Sequence, residues 1–255
     1  METVKTPFDF TNPPLVAMIQ CRTKEECIEK IKSSLKNGAE AFGIQLCQLK
    51  LCDRTKESLT SIFAACEGKP IYVTSYRLHL SENLTEDECA ELLLSAAQCG
   101  ASLCDIPGDF YKPNKKQITT DRQAVSKQKE LVKKLHKLNS QVLFSTHDQH
   151  ELSKEEIFNI AKLQAEHGAD VIKIVVKSSR KEMIYDYIDC IKKVSEEIKK
   201  PFLLLDSGAG KNILRKVGGF LGVCMYLCVD SYNEFDTKTQ PVLKDLKQLR
   251  EKMME

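Results

Sequence analysis

One lysine, Lys173, interrupts a short aliphatic run that extends from Val171 to Val176. Such a run is typical of a strand buried on both faces, as the strands of parallel sheets are. An ammonium group there loses its hydration, which favours the neutral amine, and a neutral amine attacks carbonyl carbons to form a Schiff base. The alternative is a lysine near a strand end whose ammonium group reaches solvent or a carboxylate.

A histidine ends the predicted strand that precedes Lys173, in the sequence Ser145-Thr146-His147-Asp148. Imidazole exchanges protons near neutral pH, although a histidine at a strand end is often only a hydrogen-bonded structural residue. Together, His147 and Lys173 on neighbouring strands predict a site where an amine condenses with a ketone and an imidazole moves protons. The remaining histidines are predicted to be surface residues: His79, His136, His150 and His167.

These two residues belong to a chain in which strand-like and helix-like segments alternate throughout. The predicted strands span residues 15–21, 42–49, 71–76, 103–106, 142–146, 171–176, 202–205 and 220–229. Amphipathic helical patterns lie between them, and a further helix is predicted over 240–253. Three helices should begin at capping boxes and end at a glycine that accepts the left-handed conformation: Thr23 to Gly38, Thr85 to Gly100 and Ser153 to Gly168.

Eight such units in 255 residues predict a (β/α)8 TIM barrel in a single domain spanning residues 1–255. A doubly wound sheet is the alternative, but the G-x-G-x-x-G turn typical of that fold does not follow the first strand. In a barrel, functional side chains lie at the carboxyl ends of the strands. The glycine-rich turn Ser207-Gly208-Ala209-Gly210-Lys211 could bind phosphate there, but a tight turn is the favoured interpretation.

The composition excludes several classes of protein. A net charge of +2 gives no basic field for nucleic acid, and no apolar run approaches the length of a membrane span. The first ten residues lack the apolar core of a signal peptide, so a cytoplasmic protein with reduced thiols is expected. The eleven cysteines include no C-x-x-C pair and no Cys/His cluster with ligand spacing, so no metal site is predicted.

Two blocks of sequence carry a resemblance to a known family. They are Ser145-Thr146-His147-Asp148, followed by the Glu155-Glu156-Ile157 helix, and Gly168-Ala169-Asp170-Val171-Ile172-Lys173-Ile174-Val175. These blocks and their spacing resemble the type I 3-dehydroquinate dehydratases, which carry S-N-H-D-F, E-E-I and G-A-D-x-x-K-I-A-V. Weaker similarity covers nearly the whole chain.

The resemblance implies a (β/α)8 barrel, usually dimeric, that works without metal or diffusible cofactor. By position, Lys173 would form the Schiff base with the ketone, and His147 would move the proton and release water. Arg215 would bind the substrate carboxylate, and Gln240 would stand at the position of the family's late substrate-binding glutamine. The expected partner is therefore a small keto acid, such as 3-dehydroquinate, and a homodimer is expected.

The residues that contact substrate hydroxyls in the family are altered. The family's E-W-R-x-D stretch is Gln45-Leu46-Cys47-Gln48-Leu49 here, so Gln45 and Cys47 stand in place of a carboxylate and a guanidinium. Arg77 comes one residue later than the arginine of the family's T-F-R motif. Pro107 stands where the family has the glutamate that ends its fourth strand, and Glu82 is the nearest substitute for the family's glutamate that lies next to its histidine.

Three hypotheses follow from this uneven pattern. The first is a Schiff-base lyase that acts on 3-dehydroquinate or a related keto acid, with weak or absent activity on dehydroquinate. The second is a lyase with a changed substrate, in which Gln45, Cys47 and Gln48 form a more neutral pocket. The third is a non-catalytic ligand-binding or interaction protein.

Overall fold

The computed structural model describes residues 5–77, 84–147 and 150–255. Eight strands alternate with eight helices along the described chain. The strands are β1 (Leu15–Ile19), β2 (Ala41–Gln45), β3 (Ile71–Thr74), β4 (Leu103–Pro107), β5 (Gln141–His147), β6 (Val171–Val176), β7 (Phe202–Asp206) and β8 (Tyr226–Cys228). Most of their side chains are buried, because helices cover the sheet on its outer face.

The helices lie between the strands as predicted, and the last one begins at Leu243 rather than at residue 240. They are α1 (Lys24–Lys36), α2 (Lys56–Ala64), α3 (Glu86–Cys99), α4 (Arg122–Lys137), α5 (Lys154–His167), α6 (Ile184–Lys193), α7 (Lys211–Val217) and α8 (Leu243–Met254). The capping boxes at Thr23, Thr85 and Ser153 are all formed. Gly38, Gly100 and Gly168 have φ of +92°, +123° and +107°. None of these helices is long and apolar enough to cross a membrane in the described ranges.

The strands form one parallel sheet in the order β7-β6-β5-β4-β3-β2-β1-β8. Because β1 pairs with β8 as well as β2, the sheet curls into a barrel, which confirms the predicted (β/α)8 fold. At the remaining seam, the backbone N–H of Cys224, two residues before β8, donates to the carbonyl of Phe202 at the start of β7. The carboxyl ends of all strands therefore meet at one mouth.

Four strands, β1, β2, β3 and β8, are shorter than predicted, and one predicted surface residue is buried. β2 ends at Gln45 and a 3-10 turn follows over Leu46–Gln48, so Cys47 and Gln48 lie beyond the strand. Residues 218–221 form another 3-10 turn, because Gly222 takes a φ of +97° that breaks an extended run before β8. His167 packs edge-on against Phe144 rather than facing solvent, and desolvation lowers its pKa. His79 lies outside the described residues.

Candidate active site

The amine of Lys173 lies inside the barrel, where three strands place its hydrogen-bond partners. Its Nζ donates to the hydroxyl of Tyr72 at 2.9 Å, the hydroxyl of Tyr76 at 3.1 Å and Oδ2 of Asp105 at 3.1 Å. These three acceptors equal the number of hydrogens on an ammonium group. The side chain is 4% exposed, so the structure places the predicted nucleophile in a buried ion pair with a carboxylate.

Asp105 is the centre of this network. Its Oδ2 also accepts hydrogen bonds from Tyr72 and from Tyr76, and its Oδ1 accepts one from Ser145 at 2.5 Å. Burial by itself would raise the pKa of Asp105. The charges of Lys173 and His147, with the hydroxyl donors, outweigh burial and lower that pKa. Asp105 is therefore a carboxylate, paired with the ammonium group of Lys173 at 3.1 Å.

The two phenols stay protonated around the amine. Burial, reinforced by the charge of Asp105, raises the pKa of both Tyr72 and Tyr76 well above the usual value. The ring of Tyr76 also meets the ring of His147 edge-on, with centroids 5.4 Å apart. Tyr76 thus links the amine to the imidazole, the second predicted catalytic group.

Above this network lies a cavity of about 460 Å³, which we call the mouth cavity. Its wall includes His147, Tyr76, Arg77, Pro107, Asp109, the amides of Gln20, Gln45, Gln48 and Gln117, and Phe235 and Thr237 from the β8–α8 loop. Lys173 lies below this wall, behind Tyr76. The structure thus brings Gln45 and His147 to one cavity. Cys47 is buried against Gln45, whose amide lies 3.8 Å from its sulfur, and is not part of the wall.

The β8–α8 loop is bound tightly to the mouth. Gln20 exchanges hydrogen bonds with Thr237, donating to its hydroxyl at 3.2 Å and accepting from its backbone N–H at 2.9 Å. Asp236 is buried and pairs with Lys30 of α1 at 2.5 Å. The loop therefore forms one side of the mouth cavity, next to Gln45 and Gln48.

Arg77 reaches the mouth cavity, but carboxylates hold its guanidinium group. Its Nη2 donates to both oxygens of Asp109, at 2.7 and 2.8 Å, and its Nη1 donates to Glu86 at 3.1 Å. Because β3 ends at Thr74, Arg77 is outside the sheet ladder, and strand alternation does not fix its direction.

The other two predicted substrate ligands, Arg215 and Gln240, lie in a different place. They line a cleft of about 410 Å³ between α7, the β8–α8 loop and α8. Arg215 is 6% exposed, and its Nε donates to the backbone carbonyl of Asp206 at 2.9 Å. Burial lowers its pKa to about 10. The structure does not bring these two residues to the wall of the mouth cavity.

The glycine-rich turn after β7 is filled by a side chain of the protein itself. Oδ1 of Asp206 accepts the backbone N–H of Gly208 at 2.7 Å and that of Ser178 at 3.0 Å. The N–H of Gly210 donates to the Ser178 hydroxyl at 2.9 Å. Groups that could cradle a phosphate are thus used within the protein, which agrees with the interpretation as a tight turn.

The close packing of this turn predicts that a side chain at Gly208 destabilises the protein. A Cβ added at Gly208 would lie 2.0 Å from the backbone oxygen of Ser178, so Gly208→Ala must push the chain apart. We expect it to lower the free energy of unfolding by about 1–3 kcal/mol in urea denaturation. Gly68→Ala is the reference variant, because its methyl would meet no atom within 4 Å and reports only the cost of a φ of +75°. An unchanged urea midpoint for Gly208→Ala would contradict the contact.

Sequence reasoning missed the groups that surround Lys173. In the sequence, Asp105 is a single acidic residue near the end of a predicted strand, and Tyr72 lies inside an apolar strand, where a tyrosine is an ordinary core residue. One sequence feature could have indicated them. A buried lysine needs a charged partner, and because the strand of Lys173 contains no carboxylate, the partner must come from another strand. Asp109, which holds Arg77, follows β4 in a loop and gave no signal. Glu82 lies outside the described residues.

Comparison with known proteins gives a consistent result. The family model for type I 3-dehydroquinase matches residues 15–253. Among solved structures, a 3-dehydroquinate dehydratase from Geobacillus kaustophilus has a TM-score of 0.82 and 14% identity, covering 96% of this chain and 92% of that one. The corresponding enzyme from Clostridium difficile, solved with covalently modified comenic acid, has a TM-score of 0.80 and 16% identity, with coverages of 95% and 92%.

A third solved structure, from Enterococcus faecalis, has a TM-score of 0.77 and 16% identity over 94% of both chains. A search of curated protein sequences found no match. At these identities the structural likeness establishes the fold, and the family model carries the assignment.

Proposed function

The chain belongs to the type I 3-dehydroquinase family, and from this premise we propose that it is a lyase whose Lys173 forms a Schiff base with a small carbonyl compound. The observation that carries the proposal is the arrangement of Lys173, with its amine 3.1 Å from Asp105 and Tyr76 between it and the mouth cavity. A buried lysine with a nearby proton acceptor can supply the neutral amine that imine formation needs.

The proposed reaction proceeds in balanced steps. The ammonium group of Lys173 gives a proton to Asp105, and the amine attacks the carbonyl carbon as Tyr76 is displaced. The carbonyl oxygen leaves as water after protonation, which forms the C=N bond of a protonated imine. His147 removes a proton from the adjacent carbon and returns it to the departing hydroxyl group, so a second water is lost. Hydrolysis of the imine releases the unsaturated ketone and restores the amine.

Trapping the imine tests this proposal. The protein is incubated with 3-dehydroquinate and with a set of small ketones and aldehydes, reduced with sodium borohydride, and weighed and mapped by mass spectrometry. We expect an adduct on Lys173 that adds the mass of the carbonyl compound minus one oxygen atom, because water is lost on imine formation and two hydrogens are gained on reduction. The adduct should be lost in Lys173→Met and kept in Lys177→Met, which alters an exposed lysine just after β6. No adduct at Lys173 with any carbonyl compound would refute the proposal.

A second candidate function, ligand binding without catalysis, is favoured by one observation. The Nζ of Lys173 already has three partners, and Lys173 does not line the mouth cavity. Under this alternative, ligands raise the melting temperature of the wild type and of Lys173→Met equally, and borohydride traps nothing. On the family resemblance alone, we propose that the protein is cytoplasmic and forms a homodimer, and sedimentation of the purified protein would test the dimer.

A further inference from the structure

We infer that the mouth cavity selects an uncharged, hydroxylated aldehyde or ketone rather than a keto acid. The inference rests on the proposed imine chemistry of Lys173 and concerns the charge of its substrate. It departs from the keto acid that the family resemblance suggests.

Both basic groups at the site are already neutralised. Arg77 is held by Asp109 and Glu86, with N–O distances of 2.7–3.1 Å, and Lys173 is paired with Asp105 at 3.1 Å. Neither cation is therefore left unpaired for a substrate. A substrate carboxylate entering the mouth cavity would lose its hydration without gaining an unpaired cation from Arg77 or Lys173, and an unpaired charge is costly to bury.

Residues 1–4, 78–83 and 148–149 contain no lysine or arginine in the sequence. Within the described wall, His147 is the remaining side chain that can carry a positive charge, and a histidine that accepts a proton from substrate does so in its neutral form.

The polar groups that remain on the wall suit hydroxyl groups. Four glutamines and Thr237 are uncharged wall residues, and Gln20 is hydrogen-bonded to both Gln45 and Thr237. Oε1 of Gln48 is buried without a hydrogen-bond donor from the described residues, while its Nε2 donates to the carbonyl of Phe235 at 3.4 Å. A buried acceptor without a donor is costly, and a substrate hydroxyl would satisfy it.

Arg215 does not supply the missing positive charge at the mouth cavity. It lines the cleft between α7 and α8 together with Gln240, whereas the mouth cavity is lined by Phe235 and Thr237 of the same loop. The loop is fastened between the two spaces by Gln20 and by the buried Lys30–Asp236 pair.

Two ketones that differ in a single group test the inference. Dihydroxyacetone and hydroxypyruvate share a hydroxymethyl ketone, and the second has a carboxylate where the first has a hydroxymethyl group. Borohydride adducts at Lys173 are counted for each and divided by the adducts at the exposed Lys177, which corrects for intrinsic carbonyl reactivity. We expect the corrected ratio to favour dihydroxyacetone at least about tenfold.

Asp109→Asn supplies the reverse experiment, because it removes one of the two carboxylates on Arg77. We expect it to shift the ratio about tenfold toward hydroxypyruvate, the size of one charged hydrogen bond. Glu86→Gln, at a more exposed carboxylate, should shift the ratio the same way and replaces Asp109→Asn if that variant does not fold.

The outcomes separate the two proposals. A Lys173-dependent preference of the wild type for hydroxypyruvate would overturn the inference and leave the imine chemistry standing. Loss of that preference in Arg215→Met would then show that Arg215 reaches the substrate. If neither ketone nor any other carbonyl compound is trapped at Lys173, the proposed function itself fails, and the inference fails with it.

Discussion

Asp105→Asn is expected to lower the free energy of unfolding by about 3–5 kcal/mol at neutral pH, the usual cost of removing one partner of a buried ion pair. The variant keeps the shape of the side chain but leaves the ammonium group of Lys173 among two phenols without a counter-ion. Urea unfolding measures the change. Asp121→Asn is the matched control, because Asp121 caps α4 at the surface and asparagine caps helices equally well.

A double-mutant cycle isolates the pair from its surroundings. Lys173→Met alone leaves the buried carboxylate of Asp105 without a counter-ion, whereas Lys173→Met combined with Asp105→Asn removes both charges. The double variant should therefore be more stable than the sum of the two single losses predicts. If the losses simply add, Lys173 and Asp105 do not stabilise each other, and the proton acceptor proposed for the amine has to be another group.

The stability difference between wild type and Asp105→Asn should also depend on pH in a fixed direction. The pKa of Asp105 is lower in the folded protein than the usual unfolded value of about 3.9. The stabilisation is therefore fully present above about pH 3.9 and is lost as the pH falls below it toward the folded-state pKa. Unfolding measured at intervals from pH 7 to pH 3 should show a constant difference that narrows only at the acid end.

His147→Gln is expected to slow proton transfer about 10²- to 10⁴-fold, the usual contribution of a general acid–base group. The readout is uptake of deuterium from D₂O at the carbon beside the carbonyl of dihydroxyacetone, followed by NMR. Borohydride trapping at Lys173 should survive, because the amine is held by Tyr72, Tyr76 and Asp105 rather than by the imidazole.

The local backbone should survive this change as well, since the backbone N–H of His147 donates to the side chain of Gln117 at 3.1 Å whatever side chain it carries. His136→Gln, at an exposed position on α4 where the ring contacts Asp170, controls for general effects of losing a histidine. Deuterium uptake at the wild-type rate in His147→Gln would remove His147 from the proposed mechanism.

The barrel was predictable because its signals are local. Each capping box and the glycine after it lie on one helix, and each buried strand shows as a short apolar run. The errors occurred where no local rule applies. Glycines ended the extended run before β8, and the turn after β2 moved Cys47 out of the strand and away from the mouth cavity.

The site was only half predictable, because its partners come from distant parts of the chain. Lys173 and His147 stand out in their own strands and form a recognisable family pattern. The contacts of Lys173 with Tyr72 and Asp105 join residues 101 and 68 positions apart, and no spacing rule spans three strands of a barrel. The pairing of Arg77 with Asp109 likewise depends on two loops whose course the sequence does not specify.

The saturated hydrogen bonding of Lys173 has a consequence for surveys of lysine reactivity. Most acylating reagents modify lysines in proportion to their access to solvent, and an ammonium group with every hydrogen engaged is protected from them. Such a survey would label the many exposed lysines of this protein and rank Lys173 among the least reactive. A reagent would modify Lys173 only if it fitted the mouth cavity and displaced Tyr76. A survey with acylating reagents would therefore miss the lysine proposed for catalysis, whereas borohydride trapping of an imine would detect it.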